Sequence, residues 1–317
     1  MQVYLEFEKQ IADLDGKIRE LQTLAEEDGS VDLSDDIARL HSKSETALVD
    51  LYRKLDAWQK TQVARHPDRP HFKDYVASLI ENYEPLSGDR NFAEDHAIQA
   101  GLGWFRGKPV AVLGHEKGND TQTRLKHNFG MARPEGYRKA VRIMHLAERF
   151  SLPLVSLVDT AGAYPGIGAE ERGQAEAIAR STEACLNLKV PMISIIIGEG
   201  GSGGAIAIAA ASRVYMLEHS IYSVISPEGA ASILWRDSTR AREAATSMKI
   251  TAQDLQRLGV IDAVIPEPIG GAHRDPDAIL KNTGDILEQA LDEMAQKDEA
   301  TIVAERREKF LAIGRNL

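Results

Sequence analysis

The chain has 317 residues, 43% of them hydrophobic and 27% charged, enough for one large α/β domain with an appendage or for two smaller domains. Its formal net charge of −10 argues against nucleic acid as a primary partner and against an anionic membrane surface. Its one cysteine, Cys185, rules out an internal disulfide and a cysteine-rich zinc site, and is read as small core filler.

The first residues, Met1 to Glu8, lack the basic and then apolar order of a signal peptide. No apolar run approaches the length of a membrane span. The expected setting is the cytoplasm. Residues 1–65 read as a charged, helical N-terminal extension. Leu5, Ile11, Leu14, Ile18, Leu21 and Leu24 recur at helical spacing, and after a break at Asp28-Gly29-Ser30 so do Leu40, Ala47, Leu48, Leu51 and Leu55. Such a pair is either a hairpin packed on its own domain or a docking arm for another subunit. The proline-bounded connector Arg65-His66-Pro67-Asp68-Arg69-Pro70 marks the boundary, which leaves 66–317 as the main domain.

Beyond it, Ile98–Phe105 and Pro109–Gly114 read as a hairpin turning at Arg106-Gly107-Lys108. Helices and strands then alternate. Helices are predicted over Glu135–Phe150, Glu170–Asn187 and Ala252–Leu258. Strands are predicted over Leu152–Val158, Val190–Ile197, Arg213–Leu217, Ile221–Ile225 and Val260–Ile265. Two charged helices close the chain from about Ala278. This alternation implies a mainly parallel sheet with crossover helices.

The densest signal is Gly198-Glu199-Gly200-Gly201-Ser202-Gly203-Gly204-Ala205, between an apolar strand and the helical start Ala205–Ala211. A strand-to-helix turn is expected there. Glycine gives it access to φ > 0 and lets bare amides approach a ligand, and the first helix amides lack intrahelical partners. Such a turn suits an anion. Three patterns overlap. Gly198-x-Gly200-x-x-Gly203 fits a dinucleotide fingerprint, with Glu218 near its ribose-binding position. Gly200-x-Ser202-x-Gly204 fits the nucleophile elbow of a hydrolase. Gly203-Gly204-Ala205 fits an oxyanion hole of backbone amides. No Lys-Ser or Lys-Thr follows, so a Walker A loop is excluded. A close-packing turn is the plainer alternative, weakened by the crowding of glycine at 198, 200, 201, 203 and 204.

A second glycine-rich segment, Asp159-Thr160-Ala161-Gly162-Ala163-Tyr164-Pro165-Gly166-Ile167-Gly168, also follows a strand and precedes a helix. Neighbouring loops at the carboxyl ends of parallel strands can line one cleft from two sides. Neither a dinucleotide domain nor a hydrolase explains this second loop. For the hydrolase, His219 and His273 follow Ser202, with Asp237, Asp254 and Asp262 as possible acids, and Asp262 before His273 satisfies the chain order. The dinucleotide reading has only a short helix, about Gly203 to Ser212, after the fingerprint.

With both loops in view, the chain resembles the α subunits of the carboxyltransferase component of bacterial acetyl-CoA carboxylase. The matching strings are Arg65-His66-Pro67 with Arg69-Pro70, Asn128-Phe129-Gly130-Met131, Pro134–Ala140, Gly162–Gly166, Ala169–Gln174, Gly198–Ala205, Ser223–Gly229, Ser232–Trp235 and Pro266–Arg274. Ala161 departs from the family's usual proline. The resemblance implies a crotonase-like (ClpP/crotonase) α/β fold, a spiral of ββα units with two layers of sheet, and an assembly of two α with two β subunits. It implies a zinc ribbon and most coenzyme A contacts on the β subunit, and no metal on this chain. It also implies a reaction. A carboxyl group would pass from carboxybiotin, held on the biotin carboxyl carrier protein, to acetyl-CoA, giving malonyl-CoA for fatty acid biosynthesis. Biotin carboxylase would complete the complex, with no membrane or nucleic acid required.

Carried over by position, Gly203 and Gly204 would form the backbone oxyanion hole for the biotin carbonyl. Gly162, Ala163, Tyr164, Pro165, Gly166, Gly201 and Ala205 would line the substrate. Arg138 and Arg172 read as structural salt bridges before anion contacts. Two other readings stand beside this one: a serine hydrolase using Ser202, and a scaffold subunit that only positions β.

Overall fold

The computed structural model describes residues 3–27 and 32–315. The expected break at Asp28–Ser30 and the first two residues lie outside these. Eight strands form one sheet in the order β1-β2-β3-β4-β5-β6-β8, with β7 off this path and paired to β5. They are β1 Glu81–Pro85, β2 Ile98–Phe105, β3 Lys108–His115, β4 Leu154–Thr160, β5 Met192–Gly201, β6 Arg213–Leu217, β7 Ile221–Ser223 and β8 Ala263–Ile265.

The β2–β3 hairpin forms as predicted, with Phe105 opposite Lys108. Arg106 at φ 47 and Gly107 at φ 78 make the left-handed pair that a two-residue hairpin turn requires. From β3 onward the pairs are parallel. β4 and β5 are buried along their whole length, as central parallel strands must be. On one face, Ile143, Met144, Ala177, Cys185 and Ile208 pack against the sheet from the helices Pro134–Arg149, Gln174–Asn187 and Ser202–Ala209. On the other, Phe72, Tyr75, Ile279 and Leu287 pack from Phe72–Leu79 and Pro276–Met294. Each of the Ile, Leu, Met and Phe side chains among these, fully buried, contributes about 1.5–3 kcal/mol. Cys185 is core filler as expected, and burial pushes its thiol up to about 12.

Three expectations need correction. The helix predicted over Glu170–Asn187 is two helices, Ile167–Glu170 and Gln174–Asn187, broken where Gly173 takes φ 80. The strand predicted over Val260–Ile265 starts only at Ala263, because the Val260 and Ile261 amides donate back to the Leu255 carbonyl and close the preceding helix. The two expected sheet layers appear as one sheet whose central strand changes partner, β5 pairing β6 over Ile193–Ile196 and β7 over Glu199–Gly201.

The N-terminal segment is packed on its own chain. Lys9–Glu27 and Ser34–Tyr52 form a helical hairpin that buries Ile11, Leu14 and Ile18. Glu8, wholly buried, accepts hydrogen bonds from Tyr52 at 3.0 Å and Arg274 at 2.8 Å. The connector is no loose tether. Arg69 is buried within it, donating through Nε to the Ile197 carbonyl at 2.7 Å.

Candidate active site

The glycine-rich segment is mostly strand and not turn. Gly198 to Gly201 complete β5, and the helix Ser202–Ala209 starts at the next residue. Each glycine answers a close neighbour. A Cβ on Gly198 would stand 2.8 Å from the Asp159 carboxyl carbon, and one on Gly200 would stand 2.8 Å from the Tyr222 ring. On Gly201 it would meet the Ala161 carbonyl and lie 2.7 Å from the Gly162 nitrogen. The change of direction falls on Ser202, at φ 49, an uncommon backbone region for a residue with a side chain.

The second loop lies directly against this point. A Cβ on Gly204 would be 2.7 Å from the Gly162 carbonyl carbon and 2.8 Å from the Ala163 nitrogen. Gly162 itself sits at φ 150, with its carbonyl accepting from the Thr160 hydroxyl at 2.8 Å. Tyr164 is fixed from three sides. Its amide donates to the Ala132 carbonyl at 3.0 Å, its carbonyl accepts from Gln174 at 2.9 Å, and Arg133 lies 4.8 Å over its ring. A Cβ on Gly166 would strike the Tyr164 ring, so these two hold the loop closed. Pro165 is exposed at its tip.

Thus Gly162, Ala163, Gly201 and Gly204 come together as packed backbone. Ala205 is buried behind them. Gly203 is different. A Cβ there would meet only the Ile178 side chain, at 3.3 Å. Gly203 and Ser202 line a cleft of about 460 Å³ with Ile206, Tyr222, Ser223, Val224, Leu255 and Val260. Gly203 stands in the first turn of its helix, where backbone amides have no intrahelical acceptor. The walls from Ile206, Tyr222, Leu255 and Val260 were not singled out from sequence. They fell only in segments read as secondary structure, among them the strand beginning at Ile221, which ends beside the glycine segment.

Below the loops lies a chain of alternating charges. Lys117 Nζ is 2.8 Å from Asp159 and 2.9 Å from Glu199. Arg65 reaches Glu199 at 2.7 Å and Glu228 at 2.6 Å. Burial alone would push the Asp159 carboxyl up, but Lys117, His71 and the Glu199 amide outweigh it and hold it far below its usual range. Burial likewise opposes the charge on Lys117, yet Asp159 and Glu199 raise it to about 12. Wholly buried His115 is pushed down to about 3 by burial and stays neutral.

The hydrolase alternative loses its partners. Asp262 accepts from the Val214 amide at 2.7 Å and pairs with Lys309. His273 stacks on His66 at 3.7 Å between ring centres. Both are engaged away from Ser202. Arg138 and Arg172 are structural, as expected, converging on buried Glu135 at 3.0 Å and 2.6 Å. Glu218 is turned inward, accepting from the Glu267 amide at 3.1 Å.

This architecture recurs in solved carboxyltransferases. Transcarboxylase 12S, with hydrolysed methylmalonyl-coenzyme A bound, superposes with a TM-score of 0.59 at 20% identity, over 72% of this chain and 42% of that one. The β subunit of Pseudomonas aeruginosa geranyl-CoA carboxylase gives 0.56 at 17% identity, over 80% of this chain and 45% of that one. A Pseudomonas malonate decarboxylase hetero-tetramer in complex with coenzyme A gives 0.59 at 16%, over 76% and 92%. These likenesses establish the fold as the crotonase type found in carboxyltransferases. The profile described as acetyl co-enzyme A carboxylase carboxyltransferase-like matches residues 4–314, and the chain belongs to that family. Acetyl-coenzyme A carboxylase carboxyl transferase subunit alpha of Agrobacterium fabrum is 68% identical over 317 residues, the full length of both chains. The subunit of the same name from Rhizobium etli is 69% identical over the same span.

Proposed function

We propose that this chain is the α subunit of a biotin-dependent acetyl-CoA carboxylase carboxyltransferase, which transfers a carboxyl group from carboxybiotin on a carrier protein to acetyl-CoA and yields malonyl-CoA for fatty acid biosynthesis. Full-length identity with subunits of that name supports the activity. One observation supports the site: Gly203, in the first turn of its helix, lines an otherwise apolar cleft.

The cleft suits a carboxybiotin head group. Gly203 lines it without a side chain, and Ile206, Leu255 and Val260 offer an apolar wall. Carboxybiotin supplies a labile carboxyl group whose release leaves charge on the ureido oxygen. This chain's task is to hold that charge. The Gly203 N–H, oriented at the start of a helix, donates toward the oxyanion, and the helix dipole adds to it. Loss of one such donor costs about 3–4 kcal/mol in the transition state. Gly162 and Ala163 buttress the helix start from the opposite side, and the apolar wall keeps water away. No side chain at the cleft is placed as a general base, which fits a reaction that needs none from the protein.

The chain works with a β subunit. We infer two α with two β, zinc and most coenzyme A contacts on β, a separate biotin carrier and carboxylase, and a cytoplasmic setting. Among the described residues no helix is long and apolar enough to cross a membrane. Val224, at the cleft, is 82% exposed, and Ile167, Ile233 and Leu234 are 65–79% exposed, apolar surface that a partner would cover. The test is malonyl-CoA formation from purified chains with biotin-loaded carrier. Turnover should require both this chain and a zinc-ribbon β partner. Full activity from this chain alone, or from β alone, would overturn the assignment.

A further inference from the structure

We propose that Asp159 is a positioning residue for the amide cleft: its carboxylate, held in place by Lys117, wedges into the bend of β5 and sets where Ser202, Gly203 and Gly204 lie. The proposal rests on the reading of Gly203 as the oxyanion donor.

The register shows the bend. Val158 lies opposite Ile196, and Thr160 lies opposite Gly200. Over that interval β5 carries more residues than β4, so it bulges. Bulges redirect a strand and are common beside active sites. The excess residues include Gly198 and Glu199, and Asp159 fills the space they open. Its carboxylate packs on the Gly198 Cα, where any side chain would strike it. Its Oδ1 accepts the Glu199 N–H at 2.9 Å, a donor that the distorted ladder leaves over. Past the bulge, β5 leaves β6 and joins β7. Two residues on, Gly201 abuts Ala161 and Gly162 with no slack, and the next residue begins the helix. A shift at Asp159 therefore reaches the Gly203 amide through a short, rigid path.

Lys117 holds the wedge. Its ammonium lies 2.8 Å from the same Oδ1 and 2.9 Å from Glu199 Oε1, so it binds both sides of the bulge. His71 Nδ1 stands 3.5 Å from Oδ2. His115 and Arg69 also act on the carboxylate electrostatically, and Tyr75 is buried near it. With Lys117 present, Asp159 stays ionised throughout the range in which enzymes are assayed. Without it, burial is opposed only by His71, weaker distant charges and one amide, and the carboxyl moves up.

The test is Lys117→Met in the full chain assembled with its β partner. A 1 Å misplacement of catalytic geometry costs about 10²-fold in rate. The expected result is a kcat lowered by about that factor at acid pH, recovering as pH rises and Asp159 ionises, with KM for acetyl-CoA unchanged and a limb absent from the wild-type profile. Asp159→Asn keeps an acceptor for the Glu199 amide but carries no charge, and its loss of kcat should not vary with pH. Wild-type turnover by Lys117→Met, or an equal loss at every pH, overturns the proposal. If Lys117→Met fails to assemble, the uncharged pair Lys117→Met/Asp159→Asn takes its place. Normal kcat from that pair overturns the proposal, and a kcat loss with unchanged KM supports it. The Ser202→Gly/Gly203→Pro variant separates the two ideas, because it removes the Gly203 N–H and leaves Asp159 alone. Normal turnover there refutes the donor, whereas a normal Lys117→Met beside an inactive proline variant refutes only the wedge.

Discussion

Glu267 grips Arg69 at two points, with Nη1 to Oε2 at 2.8 Å and Nη2 to Oε1 at 2.6 Å, and both side chains are out of contact with solvent. The same carboxylate accepts the amides of His219 at 2.9 Å and Ala272 at 2.7 Å. It thus joins the connector, the end of β6 and the segment before the closing helices. Burial opposes its charge, but Arg69 and then His219 lower its pKa from 4.5 to about 2.

Glu267→Gln should therefore destabilise the chain by about 3–5 kcal/mol, since it strands a buried guanidinium. Urea unfolding at neutral pH measures this, and a loss below about 1 kcal/mol would contradict it.

The acid response follows from the same pair. A carboxyl with a lowered folded pKa stabilises above its unfolded value, and that stability is lost as pH falls toward the folded value. Wild-type melting temperature should drop between about pH 4.5 and 2 as Glu267 protonates. In Glu267→Gln this contribution to the slope should be missing. Identical slopes in the two proteins would show that Glu267 does not contribute.

Gly203 and Gly204 should respond differently to one methyl group. Alanine at 204 would press on the Gly162–Ala163 backbone, which has no flexible end to yield. Overpacking of this kind costs about 1–3 kcal/mol. Alanine at 203 meets only the movable Ile178 side chain. Thermal melts should show Gly204→Ala destabilised and Gly203→Ala close to wild type. The reverse order would mean that the two positions have been assigned to the wrong environments.

Ser202→Ala should keep substantial turnover. The hydroxyl has no placed base, and its acid–base candidates Asp262 and His273 are engaged elsewhere. Complete inactivation, or covalent labelling of Ser202 by a fluorophosphonate, would restore the hydrolase.

Much of this molecule can be read from local pattern. The hairpin at Arg106-Gly107 and the apolar runs of β4 and β5 follow from turn chemistry and burial on both faces. The bend of β5 does not, because a glycine run reads as a turn. It is strand because Glu199–Gly201 pair with β7, and the Glu199 amide also donates to Asp159, a neighbour 40 residues distant in the chain. Lys117 carried no sequence signal, and Arg65 and Glu199 lay in family strings without a role for their charges, since an isolated charge reads as solvated until its partners are placed. The closing helices looked generic, yet Arg306 on the last one is buried. It donates to the carbonyls of Cys185 at 2.8 Å and Val190 at 2.9 Å, anchoring that helix to the turn ahead of β5. The family strings named both glycine loops, but did not distinguish the glycines packed against backbone from Gly203, which lines the cleft.

The most direct test of the Gly203 donor removes its N–H by substituting proline. Proline is tolerated in the first turn of a helix, where the lost N–H had no intrahelical acceptor. Proline also restricts the residue before it, so Ser202→Gly supplies the freer backbone and serves as the reference. The measurement is kcat for malonyl-CoA formation by Ser202→Gly/Gly203→Pro against Ser202→Gly, each assembled with the β subunit. The predicted result is a fall of about 10²–10³-fold at unchanged melting temperature, the usual cost of one lost oxyanion donor. Equal kcat in the two proteins would contradict the account.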